Sequence, residues 1–321
     1  MPFVRLICLV CALACSCSAL FGQDSPAPSP TPFEETIVPT YETQKRARTY
    51  VLNIPAPRGQ IVDRNGVPLA QNKLAFHLAI TFPTPLEFSD QQVLAYAQEK
   101  IRTAEKLLGR PVKVADDAIL RHYRNRGILP FEIAQNLTEE QRDELQPKLP
   151  AGMVLRPIYI RVYPQGRLAG HIIGFTGRTG RARDDVIDNH EALWPETEGR
   201  EGLEQTFNTM LTGQQGEYKM TFDEEGRKTS ERITTPPVPG YTVVTTLDVR
   251  MQELAEKALE AKAKRGAIVI IDPNTGDIHA MASWPVFNPN LFIPQISEQK
   301  FKELQDDPNI PLLPRAFRSS Y

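Results

Sequence analysis

Two apolar periodicities run along the chain, one near two residues and one between three and four, which separate strands from helices. Gln60 to Val62 and Val67 to Ala70 flank Asp63-Arg64-Asn65-Gly66, and the Asn-Gly pair tolerates positive φ, so a hairpin is expected soon after order begins near Tyr50. Val93, Leu94, Ala97, Ile101, Ala104 and Leu108 recur at helical spacing behind Ser89-Asp90 as a cap, with Gly109 and Pro111 closing the segment. A second helix is expected from Asp116 to Arg124. A third starts at Thr138, which has capping-box spacing to Gln141. Arg156 to Val162 reads as a strand, Pro164-Gln165-Gly166 as a break, and Leu168 to Ile173 as a short helix. One helix is expected over Gly202 to Leu211, stopped by Gly213. A hairpin follows, with Glu217 to Phe222 and Arg227 to Ile233 around Asp223-Glu224-Glu225-Gly226. Strands and helices mix without regular alternation, which predicts an α+β fold.

Pro236, Pro237 and Pro239 interrupt the pattern between Thr234 and Gly240, and a domain boundary is expected there. Beyond it come a strand over Thr242 to Thr246 and a helix capped by Asp248, running to Lys264 and ended by Gly266. Ala267 to Ile271 and Asp277 to Ser283 form a further hairpin, in which Ile268 to Ile271 is apolar on both faces and is expected inside a sheet. At the other end, Arg5 precedes an apolar run from Leu6 to Phe21 that closes on Ser16, Ser18 and Ala19, the pattern of an export signal. The run is shorter than the roughly 20 residues that span a bilayer. Cleavage near Ala19, retention as an anchor, and lipidation at Cys15 or Cys17 therefore all stay open. Pro26, Pro28, Pro30 and Pro32 make the next segment an extended spacer. The expected organisation is a signal peptide or anchor over 1–22, a Pro-rich linker over 23–49, an α+β domain over 50–240 and the start of a second domain over 241–321.

Composition narrows the chemistry. Lys and Arg number 37 against 39 Asp and Glu, a formal net charge of −2, so no single-sign surface favours a nucleic-acid partner. All four cysteines fall at or before Cys17, which leaves the remainder without disulfides or thiolate metal sites. His77, His122, His171, His190 and His279 are scattered without ligand spacing, so no metal and no cofactor is expected. Ser297-Glu298-Gln299-Lys300 fits S-x-x-K, and Arg178-Thr179-Gly180 resembles K-T-G. Both are set aside. Ser297 stands where it would cap a polar helix over Ser297 to Gln305, Thr179 precedes Ser297 where acyl-transferases of this kind place the serine first, and the chain has no S-x-N element. No catalytic residue is expected in this chain.

Four stretches in order carry a resemblance. Arg58-Gly59-Gln60-Ile61-Val62-Asp63-Arg64-Asn65-Gly66-Val67-Pro68-Leu69-Ala70 resembles the first motif of the non-penicillin-binding module of class B penicillin-binding proteins. Arg161-Val162-Tyr163-Pro164 with His171-Ile172-Ile173-Gly174 is similar to the second. Gly199-Arg200-Glu201-Gly202-Leu203-Glu204 followed by Leu211-Thr212-Gly213 is similar to the third. Gly266 to Gly276 with Ala280-Met281-Ala282-Ser283 resembles the opening hairpin of the transpeptidase domain. Asn288-Pro289-Asn290-Leu291-Phe292 and Pro311 to Ala316 resemble the approach to its serine in the elongation-type branch.

The resemblance implies a dimerisation, or pedestal, domain followed by the incomplete start of a transpeptidase domain, with the family's S-x-x-K expected just past Tyr321. The intact family member would be a serine D,D-transpeptidase that cross-links peptidoglycan and binds penicillin. It would lie on the periplasmic side of a bacterial inner membrane, tethered through its N-terminus, with a rod-type lipid II polymerase and other cell-elongation proteins as partners. A non-enzymatic scaffold that docks and activates such a polymerase is the alternative. A bifunctional class A protein is disfavoured, because no glycosyltransferase domain precedes the pedestal. Arg58, Asp63, Arg64, Arg161 and Glu204 are expected to form an ion network joining the motifs, and the motif surface is also readable as a docking face. Tyr163 and Pro164 belong to the same set, and Gly59, Gly66, Gly174, Gly202 and Gly213 sit at turns and helix ends, where backbone freedom accounts for them.

Overall fold

The structure, a computed structural model, describes residues 48–179 and 185–319. The expected export segment and the linker up to residue 47 lie outside the described residues, and among those described no helix is long and apolar enough to cross a membrane. β1 (Thr49–Ile54) leads to β2 (Ile61–Val62), which turns through Asp63-Arg64-Asn65-Gly66 into β3 (Pro68–Ile80). The turn is where the Asn-Gly pair places it. β3 continues far past Ala70, because Ala75 to Ile80 are all buried and the strand becomes the centre of a sheet, paired from Gln71 to Ile80 with Met153–Val162.

α1 (Asp90–Leu108) begins at Ser89, whose hydroxyl accepts from the Gln92 amide while the Gln92 side chain returns to the Ser89 amide, and it ends at Gly109 with φ of 64°. α2 (Asp116–Arg126) and β4 (Phe131–Leu137) follow, and the Thr138–Gln141 capping box starts α3 (Glu139–Leu145). β5 (Met153–Val162) then returns antiparallel along β3. Leu78, Ile80, Val93, Ala97, Ile119, Leu137 and Met153 close a first core between this sheet and the helices.

The middle of the chain is made of short pieces: α4 (Gly170–Ile173), β6 (Thr176–Arg178), β7 (Thr197–Gly199), α5 (Gly202–Thr206) and α6 (Asn208–Leu211). The single helix expected over Gly202 to Leu211 is broken at Phe207, which packs into a second core while Asn208 turns its amide oxygen to the Gly199 N–H. β8 (Gly216–Phe222) and β9 (Lys228–Thr235) form the expected hairpin, and β1 adds to its other side to make a three-stranded sheet.

β10 (Val243–Val244) crosses the expected boundary near 240: it pairs in parallel with β2, and Val243 and Leu247 complete the second core with Ile61, Leu69, Tyr163, Ile173 and Leu211. α7 (Val249–Lys262) is capped by Asp248, whose carboxylate accepts from the Arg250 and Met251 amides; it ends at Ala263, ahead of the expected stop at Gly266. Gly266 instead opens β11 (Gly266–Ile271), which pairs with β12 (Ile278–Trp284). β11 is not covered on both faces as its composition suggests. Ile268 packs under α7 against Ala255 and Leu259, while Val269, Ile270 and Ile271 are 41%, 37% and 54% exposed. α8 (Glu298–Asp306) starts at Ser297, and α9 (Arg315–Arg318) closes the described chain.

Candidate functional site

The second core surrounds a junction of charge. Arg58 is brought in by the loop after β1, Arg161 by the end of β5, and Glu204 by the first turn of α5; they are 7%, 4% and 0% exposed. Arg58 Nε donates to Glu204 Oε2 at 2.6 Å and Arg161 Nε donates to Glu204 Oε1 at 2.6 Å, so one carboxylate bridges two guanidinium groups. Arg58 Nη2 reaches the Glu204 backbone carbonyl at 2.7 Å, and its Nη1 reaches Asn208 Oδ1 at 2.8 Å and Thr212 Oγ1 at 3.2 Å. Arg161 Nη1 donates to the Gly59 carbonyl at 2.7 Å. The Tyr163 hydroxyl donates to Glu204 Oε1 at 3.3 Å and accepts the Thr176 amide at 3.0 Å; burial, with the adjacent Glu204 charge, pushes its phenol well above the usual tyrosine range. Backbone carbonyls and neutral side chains take up most of the donors that a single carboxylate leaves over, as burying two like charges requires, while Arg161 Nη2 is buried without a hydrogen-bond partner among the described residues.

Asp63 and Arg64, expected in this network, lie outside it. Asp63 Oδ1 accepts from the Asn65 and Val67 amides, both at 2.8 Å, and Oδ2 accepts from the Val249 amide at 3.2 Å, so it closes its own turn and ties that turn to the start of α7. Burial raises the Asp63 carboxyl, but the amides of Val67, Val249 and Asn65 outweigh it and hold the group below its ordinary value. Arg64 is exposed and bonds the His279 ring at 2.7 Å. The first motif therefore divides: Arg58 holds the third motif, and Asp63-Arg64 holds the segment after residue 240.

The glycines mark close approaches of backbone. A Cβ on Gly59 would stand 1.9 Å from the Tyr241 carbonyl oxygen, and one on Gly213 would stand 2.1 Å from that of Val238. Gly174 and Gly202 face each other, both at positive φ, and a Cβ on Gly174 would lie 1.9 Å from the Glu201 oxygen. At Gly66, by contrast, φ is +81° and the space is open. Gly66→Ala is therefore expected to cost about 1–2 kcal/mol, the left-handed penalty alone. Gly174→Ala is expected to cost at least twice that, because backbone must move as well. Chemical denaturation of the two variants checks this, and equal losses would show that the Gly174–Gly202 approach relaxes freely. Pro164 opens the turn in which the Gly166 amide returns to the Tyr163 carbonyl.

Tyr163 also reaches forward. Its amide donates to Asn290 Oδ1 at 2.9 Å, and Asn290 Nδ2 donates back to its carbonyl at 2.9 Å. Phe175 stacks on Phe292 with centroids 3.7 Å apart, and both contact Phe287. Asn72, whose amide donates to the Arg58 carbonyl at 2.9 Å, and Asn208 carry no sequence signal, since an isolated amide has no periodicity, and Thr212 and Asn290 are visible only as members of motif stretches with no role attached. Ser297, in the S-x-x-K match, accepts the Lys300 amide as a helix cap, and no group of His, Cys, Asp and Glu that could hold a metal occurs among the described residues.

The family described as Penicillin-binding Protein dimerisation domain matches residues 53–245. The chain belongs to that family. Among curated relatives, peptidoglycan D,D-transpeptidase MrdA of Escherichia coli K12 is 29% identical over 293 residues, 88% of this chain and 44% of the relative. MrdA of Acinetobacter baumannii is 30% identical over 84% of this chain and 38% of its own length. The chain thus spans less than half the length of these relatives. Among solved structures, the complex between penicillin-binding protein 2 and MreC from Helicobacter pylori superposes with a TM-score of 0.63 at 28% identity, covering 84% of this chain and 49% of that one. A structure described as the structural coordination of polymerization and crosslinking by a peptidoglycan synthase complex gives a TM-score of 0.58 at 28% identity over 84% of this chain and 45% of that one. The α+β architecture is that of the family. In this member of the dimerisation-domain family the Arg58–Glu204–Arg161 junction is where the three motifs meet.

Proposed function

We propose that these residues are the pedestal and the opening elements of the transpeptidase domain of an elongation-type class B penicillin-binding protein. The whole protein would cross-link peptidoglycan stem peptides: a serine displaces the terminal D-Ala to form an acyl-enzyme, and an amine from a neighbouring strand resolves it. β-Lactams would trap the same serine. The observation that carries this reading is the clamp between Tyr163 and Asn290, through which the second motif grips the segment resembling the approach to that serine. Such a pedestal would stand on the periplasmic face of the inner membrane and offer a docking face to a lipid II polymerase, a reading supported by the complex of penicillin-binding protein 2 with MreC and by the peptidoglycan synthase complex that coordinates polymerization and crosslinking among its structural relatives. The nucleophile would lie beyond Tyr321.

The test is labelling of the protein, made from its own gene, with a fluorescent penicillin. Labelling that survives Ser297→Ala is expected. Labelling that vanishes in that variant would move the nucleophile to Ser297 and overturn the assignment, and a protein that never labels would favour the scaffold reading.

A further inference from the structure

The second motif holds a histidine that the charge junction does not use. His171 lies on α4, 6% exposed, with its ring edge-to-face on Phe287 at 5.2 Å and 86°. Its Nε2–H donates to the carbonyl of Pro311 at 2.7 Å. Burial lowers its pKa to about 4, so the ring is neutral at ordinary pH and the bond to a carbonyl fixes the proton on Nε2. The helix that carries it is also held at its start, where the Ala169 amide donates to the buried Glu256 carboxylate of α7 at 2.8 Å.

The stretch on the far side of this bond is built to be stiff. Arg315, 5% exposed, turns its guanidinium back to the carbonyls of Ile310 at 3.0 Å and Asn309, closing residues 309–315 on themselves. The Ala316 amide donates to Ser283 Oγ on β12 at 2.9 Å. A rigid loop of this kind has few internal freedoms, so its placement is set by what holds it from outside: α9 packs on β11 and β12, and hydrogen bonds tie the loop to Ser283 and to His171. Pro311 is buried, and its carbonyl would be left without this donor if the ring were replaced by a hydrocarbon.

We propose that His171 is a positioning residue: through Pro311 it fixes residues 309–316 to the pedestal, so that the pedestal sets the register of the segment leading to the reacting serine. The catalytic half of this statement rests on the transpeptidase reading above; the placement of the loop does not.

Two measurements test it. In the full chain held in detergent, His171→Phe keeps an aromatic ring against Phe287 but removes the donor, and His171→Gln keeps an Nε2–H donor. Amide hydrogen exchange at Ala316, Phe317 and Arg318 is expected to rise about tenfold in His171→Phe, as loss of one buried hydrogen bond implies, and to stay near wild type in His171→Gln. Unchanged exchange in His171→Phe would overturn the proposal. So would an equal rise at amides of the first core such as Val93, which would mark a structural role only. In the protein made from its own gene, the rate constant of acylation by a fluorescent penicillin is expected to fall about tenfold in His171→Phe, with the prior non-covalent binding constant unchanged and the rate restored in His171→Gln. Equal acylation rates would overturn the catalytic half. A wild-type protein that does not label sinks the transpeptidase reading instead, and the exchange pattern still decides whether His171 places the loop.

Discussion

Glu204→Ala is expected to lower the unfolding free energy by about 3–5 kcal/mol, the usual cost of removing one partner from a buried ion pair. Glu204 has no exposed surface, and its two oxygens each take a guanidinium Nε at 2.6 Å. Alanine would leave Arg58 and Arg161 buried together without an anion, and the remaining carbonyls and amides cannot neutralise them. Arg58 comes from the loop after β1 and Arg161 from the end of β5, so their repulsion would open the contact between those two segments. Glu204→Gln should cost less, because it keeps an acceptor near one arginine. A surface pair gives the contrast: Arg121 and Asp117 also meet at 2.5 Å, but their side chains are 50% and 66% exposed, and Arg121→Ala should change stability by less than about 1 kcal/mol. Urea denaturation of the three variants separates the cases. A loss below about 1 kcal/mol in Glu204→Ala would mean that the junction is open to water in solution, and the joining of the motifs would need another explanation.

Local signals were legible in the sequence where one side chain satisfies one nearby backbone group. Ser89, Thr138, Asp248 and Ser297 all cap the helices that their spacing announces, and the Asn-Gly turn falls in place, because each interaction closes within four residues. Pairing with distant partners was not legible. β1 is a strand because β8 lies beside it, some 160 residues later in the chain, and the strand expected over Thr242 to Thr246 forms as β10, but nothing local tells that it adds in parallel to β2. The motif residues as a set were visible, but how they divide was not. Arg58 and Arg64 are both arginines near one turn, and nothing in the sequence tells that the first points to Glu204 and the second to His279. The same limit applies to Ile268 to Ile271: an apolar run predicts that something covers it, and only tertiary packing tells which face α7 covers among the described residues.

Where the pedestal ends can be settled with fragments. The proline-rich break points to a cut after Gly240, yet the structure carries the pedestal's packing past it. β10 adds to β2, the Gly59 amide and the Tyr241 amide bond the carbonyls of Leu211 and Met210 on either side of the crossing, and Val243 and Leu247, 8% and 5% exposed, fill the second core beside Ile61 and Leu211. Burial of two such side chains is worth about 3–6 kcal/mol, a large share of the 5–15 kcal/mol that ordinarily stabilises a domain. A fragment of residues 48–248 is therefore expected to melt cooperatively, and one of residues 48–240 to melt broadly or well below it. Residues 241–319 alone are expected to aggregate, since β11 pairs only with β12 among the described residues and leaves Val269, Ile270 and Ile271 exposed along a free edge. Matched melting of the two longer fragments would show that β10 contributes nothing to the pedestal. A soluble, cooperative 241–319 fragment would show that α7 and its hairpin carry a core of their own, and residues 241–319 would then have to be described as an independent domain.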